Sequence, residues 1–188
     1  MPIQHINDDM LRIMKRGFGK EKTLELLNAM KALPSSFIRT SFIVGHPQET
    51  EAMFEEMAEF AASFGFDRLN VFSYSDEEGT TAHEMEEKIP TKVINARAKK
   101  LGKIASKVEE NSLAKLVGKE IPLVIDGESE EHEFLLSARA LNWAPDVDGE
   151  IYVNDREIEE DLQYGVIYRA RITEIAGKNP LATLVGHA

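Results

Sequence analysis

The chain has 188 residues, of which 43% are hydrophobic and 29% are charged, and its formal net charge is −11. This composition is typical of a globular protein with one or two small domains, and no apolar run approaches the roughly 18 residues that a membrane span needs. The chain contains no cysteine, which excludes disulfides, zinc–thiolate sites and a thiol nucleophile within it. Because no targeting segment is recognisable at the start, we predict a cytoplasmic protein without a membrane partner.

The acidic residues are concentrated in the second part of the chain. Residues 118–188 hold six Lys or Arg against fifteen Asp or Glu, a net charge of −9, whereas the remainder holds sixteen against eighteen, a net charge of −2. Binding to a phosphate backbone depends largely on Lys and Arg. The sequence therefore favours a basic protein as partner over nucleic acid.

The first third of the chain predicts two helices followed by a strand. Asn7 is a suitable N-cap for a short helix that ends before Gly17, and a second helix is predicted over residues 21–33, where Pro34 stops it. Residues 37–44 then form a β-rich apolar run. Such a run predicts a strand buried on both faces, as in a parallel sheet.

The pattern continues with alternating helices and strands. Thr50 is a suitable N-cap for a helix that ends at Gly65, residues 69–74 predict a second buried strand, and Pro90 opens a long helix. This order indicates an α/β domain. The lysines on the outer face of the long helix are expected to be solvated.

After Gly118 the hydrophobic pattern changes to a period of two. Short strands are predicted over residues 121–125, 134–138, 150–153, 166–173 and 181–185, separated by turn residues. Five short strands in about 70 residues favour a small antiparallel barrel of the OB-like kind. We therefore predict two domains, residues 1–117 and 118–188, with the boundary near Val117.

Both strands of the first domain end in polar turns that contain glycine. The first turn follows residue 44 as Gly45-His46-Pro47-Gln48-Glu49, and the second begins at Ser73. Ligands of α/β proteins bind at the carboxyl ends of the strands. Gly45 would let a ligand approach the backbone closely, although a plain connecting turn explains the pattern about equally well. The five histidines have no metal-ligand spacing, and no metal site is predicted.

At these positions the sequence resembles the radical-SAM methylthiotransferase family. The similar segments are residues 2–5 (PIQH), 14–17 (MKRG), 38–50 (IRTSFIVGHPQET) and 66–80 (FDRLNVFSYSDEEGT), and the following part resembles the TRAM domain of that family. The resemblance implies the second half of a radical-SAM (β/α) barrel followed by a five-stranded TRAM barrel. It covers essentially the whole chain.

Two branches of this family differ in substrate. One methylthiolates an adenosine of transfer RNA, and the RimO-type branch modifies an aspartate of small-subunit ribosomal protein S-twelve. Residues 144–153 (APDVDGEIYV) are similar to the RimO-type TRAM segment, and the acidic charge also favours a ribosomal protein or the ribosome as partner. A non-enzymatic adaptor that binds a ribosomal protein is a further alternative.

The resemblance also implies cofactors. The family uses S-adenosylmethionine and [4Fe–4S] clusters held by cysteine thiolates, and because this chain has no cysteine, we expect a C-terminal fragment that is inactive alone and carries no catalytic residue. The family turn reads GFPGET, so Gln48 replaces a glycine and makes the local turn shape uncertain. The residues implied for the cofactor site are Gln4, His5, Ile43, Gly45, Pro47, Glu49 and Ser73, of which Ser73 is a weaker candidate, as is Arg16.

Overall fold

The computed structural model describes residues 1–188, which form two compact units, Met1–Glu109 and Glu110–Ala188. Its elements confirm the predicted α/β part and the five strands that follow, while the domain boundary near Val117 stays a prediction. None of the helices combines the length and apolar character that crossing a membrane requires. The elements are α1 (Asp8–Ile13), α2 (Lys20–Lys31), β1 (Arg39–Val44), α3 (Glu51–Ser63), β2 (Arg68–Ser73), α4 (Thr91–Ala114), β3 (Glu120–Glu128), β4 (Leu136–Ala140), β5 (Ile151–Arg156), β6 (Ile167–Ala176) and β7 (Asn179–His187).

The predicted helix caps of the first unit are confirmed. The Asn7 side chain accepts hydrogen bonds from the backbone N–H groups of Asp9 (3.1 Å) and Met10 (3.3 Å), and Thr50 Oγ1 accepts one from the N–H of Met53 (3.3 Å). Each cap satisfies a backbone donor that the helix itself leaves free. The caps therefore fix where α1 and α3 begin.

The first unit is built around a two-stranded parallel sheet. β1 and β2 pair from Arg39 beside Arg68 to Val44 beside Ser73, and α3 connects them. The two rings of Phe42 and Phe66 meet edge to face at 6.1 Å in the core. Burying each such side chain contributes about 2–3 kcal/mol to folding. Other fully buried side chains of this core are Ile6, Leu27, Phe54, Met57 and Leu101.

The predicted burial of both strands on both faces is wrong. In β1, buried Thr40, Phe42 and Val44 alternate with half-buried neighbours, and in β2 Leu69 is buried while Phe72 is 54% exposed. The sheet has only two strands, so β2 forms its edge. A strand in that place buries the face that packs on the core and leaves the other open, which the apolar composition alone does not reveal.

The second unit is a closed barrel with the strand order β3-β4-β5-β7-β6. The predicted five-stranded barrel is confirmed, and four of its neighbouring pairs are antiparallel, whereas β5 and β7 are parallel. The reason is geometric. A closed ring of five strands cannot reverse direction at every step, because an odd number of reversals does not return to the starting direction.

Side chains from all five strands fill the interior of this barrel. In β6 the inward residues Tyr168, Ala170 and Ile172 are buried and alternate with more exposed residues, as the period of two predicts. The buried Tyr168 hydroxyl accepts a hydrogen bond from the N–H of Gln163 at 2.8 Å. Further buried residues are Leu123, Ile125, Ala138, Ile151, Ala182 and Leu184.

Candidate functional site

The carboxyl ends of β1 and β2 lie side by side, as the sequence predicts. Val44 is the register partner of Ser73, and the N–H of Tyr74 donates to the Val44 carbonyl at 2.8 Å. On the other side of β1, the N–H of Ile43 donates to the Gln4 carbonyl at 2.9 Å. Gln4, Ile43 and Ser73 therefore lie together at the end of the sheet where β1 and β2 terminate, and we call this end of the sheet the rim.

The turn after β1 requires two residues with positive φ. Gly45 has φ +82°, and Gln48 has φ +70° although it is not a glycine. The turn closes with a hydrogen bond from the Glu49 N–H to the His46 carbonyl at 3.0 Å. Gln48 thus adopts a left-handed backbone conformation that glycine, but not other residues, adopts without strain. The turn shape that the sequence left uncertain is of the glycine type.

The space beside Gly45 belongs to α4. A Cβ atom at this position would lie 2.5 Å from Cγ1 of Ile94. Ile94 therefore fills the space into which a side chain at this position would point. The absence of a side chain at Gly45 is explained by positive φ and by the close packing of α4.

The carboxylate of Glu49 holds the turn together from inside. Glu49 is 1% exposed, and its Oε2 accepts hydrogen bonds from the Gly45 N–H at 2.9 Å and from Arg97 Nη1 at 2.6 Å. Arg97 Nη1 also donates to the Glu49 carbonyl at 3.0 Å, and Nη2 donates to Glu51 Oε2 at 2.9 Å. One arginine of α4 thus joins the end of the turn to the start of α3.

His5 faces the same carboxylate from the other side. Its Nδ1 accepts hydrogen bonds from the N–H groups of Ile6 and Asn7, both at 3.0 Å, so the ring proton lies on Nε2. Nε2 lies 3.5 Å from Glu49 Oε1, and neither of these two buried atoms has another hydrogen-bond partner. His5, Gly45, Glu49 and Arg97 form one buried polar cluster.

The predicted cofactor residues divide into two groups by exposure. His5, Gly45, Pro47 and Glu49 are buried, whereas Gln4 and Ile43 are half-buried and Ser73 is exposed. Gln4 Oε1 is itself buried and has no hydrogen-bond partner. The weaker candidate Arg16 donates to the Pro2 carbonyl at 2.8 Å. Contact of any of these residues with a cofactor stays a prediction.

Sequence reasoning missed Arg97 as a member of the site. The sequence analysis gave it no role, although its spacing from Val93 and Leu101 places it on the helix face that becomes buried. A charged residue at a buried position requires a charged or hydrogen-bonding partner, and this requirement was the available signal. No sequence pattern identifies Glu49 as that partner, because the two residues lie 48 positions apart.

The loop that follows β2 contains an exposed polar cluster around Asp76. Lys88 Nζ donates to Asp76 Oδ1 at 2.6 Å, the Tyr74 hydroxyl donates to the same oxygen at 2.8 Å, and His83 Nδ1 lies 3.2 Å away. These contacts, chiefly the one with Lys88, lower the pKa of Asp76 to about 2. No group of three or more His, Asp or Glu side chains in the structure could hold a metal ion.

Comparison with known proteins gives two kinds of match. The family model for the TRAM domain matches residues 117–185. Curated proteins called ribosomal protein uS12 methylthiotransferase RimO match almost the whole chain. The protein from Sulfurimonas denitrificans is 68% identical over 97% of this chain, that from Sulfurovum sp. 55% over 98%, and that from Campylobacter jejuni 50% over 97%.

These matches cover only part of each relative. The chain spans 42% of the Sulfurimonas and Sulfurovum proteins and 41% of the Campylobacter protein. A solved structure, the archaeal Methanocaldococcus infernus Elp3 with an N-terminal deletion, aligns with 55% of this chain and 25% of its own at 20% identity and a TM-score of 0.41, which is too low to support a conclusion. Over nearly its whole length, this chain therefore corresponds to a TRAM-containing part of the RimO-type methylthiotransferases.

Proposed function

We propose that the chain is part of an enzyme that adds a methylthio group to an aspartate of ribosomal protein uS12. The observation that carries this function is the 50–68% identity to proteins of that name over at least 97% of the chain. Identity at this level over both compact units supports a shared substrate as well as a shared fold. The ribosomal substrate would place the chain in the cytoplasm.

The charge of the chain supports a protein substrate. Residues 118–188 carry a net charge of −9, and their arginines are largely paired, as where Arg171 contacts Glu157 at 3.0 Å and Glu120 at 3.2 Å. A surface of this sign attracts a basic protein and repels the phosphates of RNA. The barrel therefore suits uS12 better than transfer RNA.

S-adenosylmethionine fits the rim in one respect. Gln4 Oε1 is a buried acceptor without a partner, and such a group is expected to find one in a bound ligand. Gln4, Ile43 and Ser73 would contact the cofactor, whereas the buried His5, Gly45, Pro47 and Glu49 would hold the turn that carries the rim. When bound, this cofactor supplies the radical chemistry of the family.

Iron–sulfur clusters do not fit the residues of this chain. Such clusters are held by cysteine thiolates, and the chain has no cysteine. Cluster ligands would have to come from the part of the relatives that this chain does not cover. We assign no catalytic step to its residues.

The function is tested by calorimetric titration of the chain with recombinant uS12 and, separately, with a transfer-RNA anticodon stem-loop. We expect binding to uS12 that weakens as salt is raised, and no binding to the RNA. Salt-sensitive binding to the RNA alone would contradict the protein substrate. Saturation-transfer NMR with S-adenosylmethionine tests the rim, where Gln4→Leu should reduce the signal and Gln163→Leu, in the other compact unit, should not.

A further inference from the structure

The β3–β4 loop (residues 129–135) presents an aromatic side chain to solvent. Phe134 is 93% exposed and has φ +72°, a backbone conformation that bulky residues rarely adopt. The other exposed aromatic residues of the barrel are less exposed, Tyr164 being the next at 59%. An apolar ring in this position gains nothing from burial within the chain.

The loop nevertheless makes hydrogen bonds of its own. The N–H of Ser129 donates to the Leu135 carbonyl at 2.9 Å, and Ser129 Oγ accepts from the N–H groups of Glu131 (3.3 Å) and His132 (3.1 Å). These bonds close the loop at its base. Phe134 lies within this closed loop and points its ring into solvent.

Contacts with β5 tie the loop to the barrel. The Tyr152 hydroxyl donates to Glu131 Oε2 at 3.1 Å, and the ring of His132 packs edge to face on that of Tyr152 at 4.9 Å. Both contacts pull side chains of the loop toward the barrel. Because Phe134 is not among them, the loop is pre-organised with its aromatic ring free.

Four acidic residues lie near Phe134 in the sequence, and three of them line the same pocket as its ring. The loop and the end of β3 carry Glu128, Glu130, Glu131 and Glu133, with no Lys or Arg between residues 128 and 136. A concave surface of about 550 Å³ beside the ring is lined by Glu128, Glu130, His132, Glu133, Phe134 and Leu135. Carboxylates around an aromatic face attract cations, and an arginine guanidinium can stack on the ring while it pairs with a carboxylate.

We propose that Phe134 is the anchor on which an arginine of a basic protein segment stacks, with Glu130 and Glu133 pairing with neighbouring cations of that segment. The anchor deepens the proposed function, on which it rests for the identity of the partner as uS12. The proposal locates partner recognition at one aromatic ring and the acidic residues beside it. The net charge of the barrel alone does not indicate where on its surface the partner binds. Aromatic residues at such centres commonly carry much of the binding energy.

The test compares variants of the full chain in titrations with uS12 and with an octa-arginine peptide. We expect Phe134→Ala to weaken binding at least tenfold, and Phe134→Leu to weaken it similarly because the π face is lost. Phe134→Tyr keeps an aromatic ring and should retain the wild-type affinity. Tyr164→Ala is the matched control, since it removes another exposed aromatic ring of the same acidic barrel, and should change affinity less than twofold. Because Phe134 packs on nothing, the variants should retain the wild-type circular dichroism spectrum.

Each outcome separates the anchor from the proposed function. Wild-type affinity of Phe134→Ala for uS12 would overturn the anchor and leave the function intact. If the wild type binds octa-arginine through Phe134 but does not bind uS12, the anchor holds and the substrate is wrong. Wild-type affinity of Phe134→Leu would show that the ring acts through apolar contact and would overturn cation stacking. Failure of the wild type to bind either probe would overturn both proposals.

Discussion

Arg97 binds Glu49 twice, through its carboxylate at 2.6 Å and through its backbone carbonyl at 3.0 Å, from a side chain that is only 7% exposed. The two contacts fix both the side chain and the backbone of the residue that closes the rim turn. Since Glu49 also accepts from the Gly45 N–H, Arg97 determines the turn geometry without lying on the rim. We regard it as a positioning residue for the rim.

Removing Arg97 should leave a buried carboxylate without its charged partner. We expect Arg97→Met to lower the free energy of unfolding by about 3 kcal/mol, measured by urea denaturation. The double variant Arg97→Met/Glu49→Gln should cost less than the sum of the single variants, because it leaves no buried charge.

Arg12→Met provides the control for this experiment. Arg12 pairs with Asp9 at 3.0 Å on an exposed surface, and its loss should cost less than about 0.5 kcal/mol. Equal effects of the two arginine substitutions would contradict a structural role for the buried pair.

Gly45 should not tolerate even a methyl group. We expect Gly45→Ala to destabilise the chain by about 3 kcal/mol, because alanine at positive φ is strained and its Cβ would meet Ile94. Adding Ile94→Ala to this variant should recover only the part of the lost stability that comes from the steric clash, since the backbone strain remains. In thermal denaturation, Gly102→Ala is the opposite control. That helical glycine has open space where a Cβ would lie, so the alanine should raise the stability by about 0.5–1 kcal/mol.

Gln48 pays a conformational cost that glycine avoids. Its φ of +70° predicts that Gln48→Gly raises the free energy of unfolding by about 0.5–1 kcal/mol. The N–H of residue 48, which donates to the Glu87 carbonyl at 3.3 Å, remains in the variant. Gln48→Ala should give no such gain in the same denaturation assay, and a gain from alanine would show that the backbone conformation is not the cause.

Asp76 should titrate well below an ordinary aspartate. Its folded-state pKa lies near 2 against an unperturbed 3.8, so its contribution to stability is present above about pH 4 and is lost as the pH falls from about 4 to about 2. Carboxyl NMR titration should give a midpoint near 2. In Lys88→Met the midpoint should move toward 3.8, although the Tyr74 hydrogen bond keeps it from reaching that value, whereas Lys92→Met should leave it in place.

Local sequence patterns predicted where the helices and strands lie better than they predicted the burial and pairing of those elements. Asn7 and Thr50 were identifiable as caps because capping depends on neighbours two or three residues away. The exposure of Phe72 was not identifiable, since it depends on how many strands flank β2. The parallel pairing of β5 with β7 likewise follows from closure of the whole ring and from no local pattern.

The rim shows the same division between local and distant information. Its position at the ends of β1 and β2 was predictable from polar turns after apolar strands. The steric need for glycine at position 45 was not predictable, because the atom that excludes a side chain there belongs to Ile94, 49 residues further along the chain. The buried Glu49 likewise contacts His5 on one side and Arg97 on the other, and both lie far from it in sequence.

The position of β7 in the ring has a consequence for the order of folding. β7 (Asn179–His187) pairs with β5 on one side and β6 on the other, so it supplies two of the five seams. While the chain is being synthesised, the free edges of β5 and β6 stay exposed until residues 179–187 have been added. Such edges pair readily with other chains. Until β7 is in place, the barrel therefore has two unpaired strand edges at which another chain could add.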